Sequence, residues 1–173
     1  MAWAIYFPEL DDSLEEMKKQ SASLLMYRRH GVLEVFLVHP GGPYWVKKDV
    51  ASWSIPKGEF DADEDPLEVA RREFEEETGF IPRGKAFKPL TPLRQPGGKM
   101  VHAWAVEGDC DAAAVKSNSF SMEWPPHSGK IQDFPEIDRA EWFAIDDAKV
   151  KILKGQVGFL EEVESLPGCK KPR

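Results

Sequence analysis

Between Gly58 and Phe80 the chain reads GEFDADEDPLEVARREFEEETGF, and this stretch carries most of the information about fold and function. It holds ten acidic and two basic residues, a net charge of −8, whereas the whole 173-residue chain carries −7. The acidity is therefore concentrated in one segment. Pro66 stands where the first turn of a helix tolerates proline, and Gly79 stands where helices commonly end. The sequence predicts a helix over residues 66–78.

Three glutamates occupy neighbouring positions of this predicted helix. Because residues three and four apart lie on the same side of a helix, we expect Glu73, Glu76 and Glu77 to converge. An adjacent apolar stripe that can face a core consists of Leu67, Ala70 and Phe74. Like charges this close destabilise a helix unless a cation neutralises them, and hard divalent cations such as Mg²⁺ accept carboxylate oxygens. The pattern therefore favours a metal site over the alternative of a solvated acidic face.

Another pair of charged residues in the stretch is suited to structural support. The planar guanidinium of Arg72 can hold the carboxylate of Glu64 through two parallel hydrogen bonds. This contact would fix the loop over residues 58–65 against the helix. We assign Arg72 and Glu64 to that role and not to the chemistry.

The order of residues in the stretch can be written G-x5-E-x7-R-E-U-x-E-E-x-G-U, where U is apolar, and every specified position is filled. This arrangement resembles the Nudix box of the MutT-like pyrophosphohydrolases. The resemblance implies an α/β fold, namely an α/β/α sandwich with a mixed β-sheet and the box helix packed on it. It also implies Mg²⁺ or Mn²⁺ bound by Glu73, Glu76 and Glu77 and by the backbone carbonyl of Gly58. The implied reaction is cleavage of a phosphoanhydride bond in a nucleoside diphosphate linked to another group.

Two features outside the box are similar to diadenosine polyphosphate hydrolases. Residues 53–58 match a W-x-x-P-K-G lead-in, which decapping enzymes also carry, and Lys57 within it is a candidate for binding phosphate. Glu136 stands six residues before Trp142, where these hydrolases place a late glutamate. A carboxylate at that position can join the metal shell or accept a proton from the attacking water.

The predicted catalytic residues are Glu76, Glu77 and Glu136. The general base is either Glu76 or Glu136, and Glu107 and Glu123 are weaker alternatives to Glu136. In the expected reaction, a metal-activated water attacks one phosphorus of the phosphoanhydride bridge without a covalent enzyme intermediate.

The segment that begins at His39 and reads HPGGPYWVKK combines turn residues, two aromatic rings and two lysines. Tyr44 or Trp45 can stack on a nucleotide base, while Lys48 or its neighbour Lys47 can contact phosphate. The alternative is that the rings only attach the loop to the core.

The histidines do not suggest a zinc site. His102 shares a predicted strand face with apolar residues, so it belongs either to the core or to the lining of the substrate cleft. His39 and His127 are expected in loops, and neither has a partner at the spacing of zinc ligands.

Several substrates are compatible with these residues. A nucleoside triphosphate or a dinucleoside polyphosphate is favoured as the small-molecule partner. Pro96 lies sixteen residues after the box, near where an ADP-ribose-cleaving group carries a proline, so ADP-ribose is an alternative. A catalytically silent Nudix domain that binds a nucleotide as a sensor is another, and the resemblance is compatible with a homodimer.

Bulk composition is typical of one compact enzyme domain, which we expect over residues 21–170, preceded by an extension of uncertain order over residues 1–20. Hydrophobic residues make up 42% and charged residues 31% of the chain, which suits a soluble domain. The chain lacks an apolar run of about 20 residues, and its opening lacks the pattern of a secretory signal. We therefore expect a cytoplasmic protein without membrane contact. The negative charge disfavours general nucleic-acid binding, and two cysteines are too few for a disulfide framework.

Alternating and apolar runs predict strands mixed with helices. The predicted strands cover residues 21–29, 34–39, 51–55, 86–93, 100–106, 120–124 and 140–144. A second helix is predicted over residues 156–166, covering one face of the sheet. Residues 109–138 are rich in Ser, Pro and Gly and are expected to form mostly a long loop.

Overall fold

The computed structural model describes residues 20–169. The predicted extension over residues 1–20 lies outside the described residues except for Gln20, which begins the first strand. Nine strands are described: β1 (Gln20–His30), β2 (Val32–Pro40), β3 (Lys57–Phe60), β4 (Phe87–Pro89), β5 (Leu93–Arg94), β6 (Met100–Glu107), β7 (Ser119–Glu123), β8 (Ile131–Pro135) and β9 (Ile137–Ala144). Three α-helices accompany them: α1 (Pro66–Thr78), α2 (Ile145–Lys151) and α3 (Val157–Ser165).

Seven of these strands form one mixed sheet around β1. The order across the sheet is β4-β6-β1-β2-β9, with β3 also paired to β1 and β5 to β6. The pairing of β1 with β6 is parallel, whereas β1 pairs with β2 and β3 in the antiparallel direction. The remaining two strands, β7 and β8, form a separate antiparallel hairpin.

The period of two along the central strands divides the core into two layers. On β2, Phe36 and Val38 pack with α1, while Val35 and Leu37 face α2 and α3 on the other side. Strand β1 is buried on both faces over residues 21–27. Helices therefore cover both faces of the sheet, which confirms the predicted α/β sandwich with a mixed sheet and a helix packed on it.

The predicted helix over residues 66–78 is confirmed as α1. It begins where the Asp65 carboxylate accepts hydrogen bonds from the backbone N–H groups of Leu67 and Glu68. It ends at Gly79, whose φ of 78° lies in the left-handed region and whose N–H donates to the Glu75 carbonyl at 2.7 Å. Both ends follow the usual rules for helix caps. The buried face of α1 carries Val69, Ala70, Phe74 and Thr78.

The strand predicted over residues 51–55 is wrong. Trp53 and Ser54 make only isolated bridges, to Ile152 and Val38, and the next full strand begins later, at Lys57. The apolar side chains that suggested a strand are buried for another reason, since Trp53 and Ile55 fill the core on the side of α2 and α3.

Other differences arise from prolines and from exposed elements. The strand predicted over 86–93 is split into β4 and β5, because Pro89 and Pro92 have no N–H to donate to a ladder. Strand β8 was missed since it is largely exposed and carries no clear alternation, and α2 was missed since it is short and mostly polar.

The predicted C-terminal helix is confirmed as α3, with Phe159, Leu160 and Val163 buried against the sheet. Within residues 20–169, no helix is both long enough and apolar enough to cross a membrane.

Candidate active site

A cleft of about 430 Å³ lies beside the box helix, where β2, β3 and the start of β9 approach it. Its lining includes charged residues from three parts of the chain: Lys57 before the box, Glu73 and Glu77 on α1, and Glu136 between β8 and β9. Aromatic residues from two further segments, Trp45 and Phe120, also line the cleft. The fold thus brings together side chains that are far apart in the sequence.

Glu73 and Glu77 stand one helical turn apart on the face of α1 that borders the cleft. The Glu77 carboxylate accepts a hydrogen bond from the backbone N–H of Lys57 at 3.2 Å. The Glu73 carboxylate lies directly against Gly58, where a Cβ atom would overlap it. A residue larger than glycine at position 58 would therefore displace the Glu73 carboxylate from its present position.

Burial raises the pKa of the Glu77 carboxyl to about 7. The nearby negative charges of Glu73 and Glu136 act in the same direction, whereas Lys57 opposes the shift. Burial and the charge of Glu76 likewise raise the pKa of Glu73, although Arg72 partly offsets this effect. These carboxyl groups are held close together at a free-energy cost that a bound cation would relieve.

Glu76 differs from its two predicted partners. Its side chain is half exposed, lies 3.9 Å from the Arg72 guanidinium and does not line the cleft. An α-helix turns by about 100° per residue, so Glu76 and Glu77 point in clearly different directions although they are adjacent. The predicted convergence of all three glutamates is therefore wrong for Glu76 in this conformation, and its metal-binding and catalytic roles stay predictions.

Arg72 joins the loop before α1 to the helix, as the sequence suggested. Its Nη1 donates to Glu64 Oε1 at 3.0 Å, and its Nη2 lies 3.5 Å from Glu73 Oε1. The second oxygen of Glu64 accepts the Asp61 N–H at 3.0 Å. The guanidinium therefore contacts the carboxylates of Glu64, Glu73 and Glu76 through one nitrogen each, instead of holding Glu64 through two parallel bonds. Both hydrogen bonds lower the pKa of Glu64, and the bond from the Asp61 N–H has the larger effect.

Glu136 lines the cleft from a chain segment other than α1, between β8 and β9. Its backbone is fixed at both ends, because its N–H donates to the Asn118 carbonyl and its carbonyl accepts the Gly41 N–H, each at 2.8 Å. The two alternatives lie elsewhere: Glu107 pairs with Arg29, and Glu123 accepts the Gly129 N–H in the hairpin turn. Of the three late glutamates, Glu136 is the one that lines this cleft.

The four predicted substrate contacts are placed differently. Trp45 and Lys57 line the cleft, and the Lys48 ammonium lies 4.4 Å from the centre of the Trp45 ring. Tyr44 does not line it; its ring is 54% exposed and packs edge-on against Trp124, with the ring centres 5.2 Å apart.

Two other residues differ in their relation to the cleft, since Phe120 lines it and His102 does not. Phe120 was missed by sequence reasoning, and the only signal was its place in the alternating run SFSME of β7. His102 is half-buried, and its Nε2 lies 2.7 Å from Gln20 Oε1 at the edge of the sheet, so it does not line this cleft.

The donor set of the cleft suits a hard divalent cation. Its carboxylates offer oxygen atoms only, and the Glu73 carboxylate lies against Gly58. Mg²⁺ and Mn²⁺ prefer such oxygen ligands. Within residues 20–169, no three His, Cys, Asp or Glu side chains already stand in the arrangement of a complete metal site. The residues therefore fit a metal that is completed by water or substrate oxygens.

Comparisons with known proteins agree with this geometry. Residues 17–163 match the family model described as the NUDIX domain. A search of curated proteins finds no match. Among solved structures, the chain is similar to the NUDIX domain of Shewanella oneidensis NrtR complexed with ADP ribose, with a TM-score of 0.60 and 14% identity over 89% of this chain and 91% of that one.

Two other solved structures are similar in fold. One is a C. elegans Ap4A hydrolase, with a TM-score of 0.54 and 23% identity over 82% of this chain and 92% of that one. The other is a mutT/nudix family protein from Listeria innocua, with a TM-score of 0.53 and 15% identity over 85% and 92% of the two chains. At such low identity these likenesses show the fold alone. The family model, by contrast, spans most of the sequence, and the chain therefore belongs to the NUDIX domain family of hydrolases, which act on phosphoanhydride bonds of nucleotide substrates.

Proposed function

We propose that this protein is a metal-dependent pyrophosphohydrolase that cleaves a phosphoanhydride bond in a nucleoside triphosphate or a dinucleoside polyphosphate. The observation that carries the proposal is the meeting of Glu73, Glu77 and Glu136 with Lys57 in one cleft. Carboxylates from α1 and from the β8–β9 connection face a lysine from the start of β3. This combination offers both ligands for a divalent cation and a positive charge for phosphate.

Each group in the cleft has a distinct proposed task. Glu73, Glu77 and the Gly58 carbonyl would hold Mg²⁺ or Mn²⁺, which lowers the pKa of a bound water and neutralises charge on phosphate oxygens. Lys57 would orient a phosphate through its ammonium group. Water oxygen forms a bond to one phosphorus, the bond from that phosphorus to the bridging oxygen breaks, and the water proton passes to a carboxylate of the protein.

Glu136 is the better candidate for that general base. It lines the cleft and approaches from a different element than the metal-binding glutamates, so it can reach a water on the far side of the phosphate. Glu76 is the second candidate, but its side chain points toward Arg72 and solvent. A base must lie within hydrogen-bond reach of the proton that it accepts.

The aromatic residues of the cleft favour a nucleotide over inorganic pyrophosphate. Trp45 and Phe120 present rings to the same space as Lys57, and an aromatic ring can stack on any base. A cleft of about 430 Å³ falls in the range that binds small organic ligands. Lys48 would add positive charge beside Trp45, whereas Tyr44 would contact substrate only if the β7–β8 hairpin shifted, because Trp124 now covers one edge of its ring.

A substrate panel with matched variants tests the proposal. We would measure metal-dependent release of mononucleotide and phosphate from dinucleoside polyphosphates, nucleoside triphosphates and ADP-ribose. Glu77→Gln should abolish measurable turnover, while Glu75→Gln, an exposed glutamate on the same helical turn, should behave like wild type.

The outcomes separate the candidate functions. Turnover of a triphosphate or dinucleotide that is lost in Glu77→Gln supports the proposal. Dominant turnover of ADP-ribose would instead favour ADP-ribose as the substrate. Tight binding of a nucleotide without turnover of any compound would contradict hydrolysis and favour a sensor.

A further inference from the structure

His39, near the end of β2, is fully buried although it carries two polar nitrogen atoms. Its Nδ1 lies 2.7 Å from Asp138 Oδ1, and its Nε2 lies 2.9 Å from the backbone carbonyl oxygen of Lys48. Both partner atoms are acceptors, so a ring that carries a proton on each nitrogen makes both bonds at once. The expectation that His39 lies in a loop is wrong, because His39 belongs to β2.

The two acceptors belong to two different chain segments that border the cleft. Lys48 closes the loop 41–48, where its N–H donates to the Trp45 carbonyl at 2.7 Å, and this loop presents Trp45 to the cleft. Asp138 lies two residues after Glu136, at the start of β9. A single imidazole ring thus connects the segment that carries Trp45 with the segment that carries the proposed base.

An irregularity in the sheet directs Asp138 to this position. His39 pairs with Arg139, but the next residue, Pro40, pairs with Ile137, so Asp138 is the extra residue of a β-bulge. Bulges re-aim side chains and often end a ladder next to a functional site. Here the bulge points a carboxylate toward His39 just where the chain leaves the sheet at Glu136.

Neighbouring groups hold the ring in place. The Trp53 indole packs edge-on against it with ring centres 5.1 Å apart, and the indole N–H donates to Asp49 at 3.1 Å. Arg139 contacts the same two acceptors from the solvent side, at 3.3 Å from the Lys48 carbonyl and 3.6 Å from Asp138. Because Arg139 is 41% exposed, its contribution is screened, and the buried ring carries most of the connection.

We propose that His39 is a positioning residue, which sets the spacing between Trp45 on the loop 41–48 and Glu136. A buried ring with two fixed hydrogen bonds loses little entropy when it holds two segments together, and each bond is strengthened by the absence of water. The kinetic part of this inference rests on the proposed hydrolase function, whereas the structural part does not.

Two substitutions separate the two bonds. The amide nitrogen of asparagine can take the position of Nδ1, so His39→Asn keeps a donor for Asp138 and loses the bond to Lys48. The amide nitrogen of glutamine can take the position of Nε2, so His39→Gln keeps a donor for the Lys48 carbonyl and loses the bond to Asp138.

The first measurement is amide hydrogen exchange of the full chain without substrate. His39→Asn should speed exchange within the loop at Trp45, Val46 and Lys48 by roughly tenfold, as expected for one lost buried hydrogen bond. His39→Gln should instead speed exchange at Gly41 and Glu136, whose N–H groups donate to the Glu136 and Asn118 carbonyls where the start of the loop meets the β8–β9 connection. Equal changes in both segments, or none, would overturn the proposal whether or not the protein is a hydrolase.

The second measurement is steady-state kinetics on a substrate found by the panel. His39→Asn should chiefly raise KM and His39→Gln should chiefly lower kcat, each by roughly tenfold. Lower thermal stability with unchanged kcat and KM in both variants would show a merely structural role and contradict the inference.

If the His39 variants do not fold, Asp138→Ala, at a partly exposed position, must reproduce the exchange pattern expected for His39→Gln. A wild-type enzyme without any turnover would refute the hydrolase proposal and leave the exchange result decisive for His39.

Discussion

One wall of the cleft comes from a continuous stretch, residues 57–79, while the facing wall is assembled from the loop 41–48 and from Glu136, which are far apart in the chain. In the first wall, helical periodicity alone places Glu73 beside Glu77. In the second, hydrogen bonds between segments place Glu136, through the Gly41 and Asn118 backbones. Metal-binding groups can therefore be encoded locally, whereas the groups that approach from the other side depend on tertiary contacts.

Outside the box helix, the largest effect on turnover should come from the facing wall. Glu136→Gln should lower kcat by about 10²–10⁴-fold, the usual contribution of a general base. Thermal stability should change little, because within residues 20–169 no protein hydrogen bond depends on the carboxylate. Glu141→Gln, an exposed glutamate on β9, is the matched control. A variant with near-normal kcat would remove Glu136 from the chemistry and return the role to Glu76.

The next effect concerns metal and pH at the box wall. A ligand present at 100 times its Kd should stabilise the fold by about 2.7 kcal/mol, and Glu77→Gln should lose most of this gain. Because burial raises the folded-state pKa of Glu77 to about 7 from its ordinary 4.5, the protonated form favours folding. Metal-free wild type should therefore lose stability as pH rises from 4.5 through 7, and Glu77→Gln should lose less.

Thermal melting in EDTA and in Mg²⁺ across this pH range measures both effects. Glu75→Gln is again the control, since its side chain is exposed on the same helix. Equal metal-induced shifts in wild type and Glu77→Gln would show that the box helix does not hold the cation.

A smaller effect should distinguish two adjacent aromatic residues. Trp45→Ala should raise KM by roughly tenfold, since stacking contributes about 1–3 kcal/mol per base. Tyr44→Ala should change KM little, because Tyr44 contacts Trp124 and not the cleft. If the Tyr44 variant has the larger KM, then the hairpin and loop rearrange when substrate binds.

The smallest effect is expected at the Arg72–Glu64 contact. Arg72→Gln should lower the free energy of unfolding by about 0.2–1 kcal/mol, the usual value for an exposed ion pair. Glu64→Gln should lower stability in the same direction, and denaturant unfolding of the double variant should show less than the sum of the two. A strictly additive double variant would mean that the pair does not couple the loop to α1.

Sequence reasoning recovered the first wall more fully than the second. The caps at Asp65 and Gly79 and the apolar stripe around Phe74 specify α1, because helix signals lie within one continuous segment. The strand predicted over 51–55 failed because burial of Trp53 in the core produces the same pattern as pairing. The place of Phe120 in the cleft was missed. Among the described residues its strand, β7, pairs only with β8, and no local sequence pattern indicates where this separate hairpin lies.

By itself, the sequence determined the box: its charge, its helix and its likeness to a family of metal-dependent hydrolases. Local periodicity and capping act over a few residues, so they can be read from neighbouring positions. Tertiary structure alone decided that Phe120 joins the cleft and that His39 binds both Lys48 and Asp138. Such contacts depend on strand register, on a bulge and on chain segments up to about a hundred residues apart, and the sequence pattern contains no local signal for them.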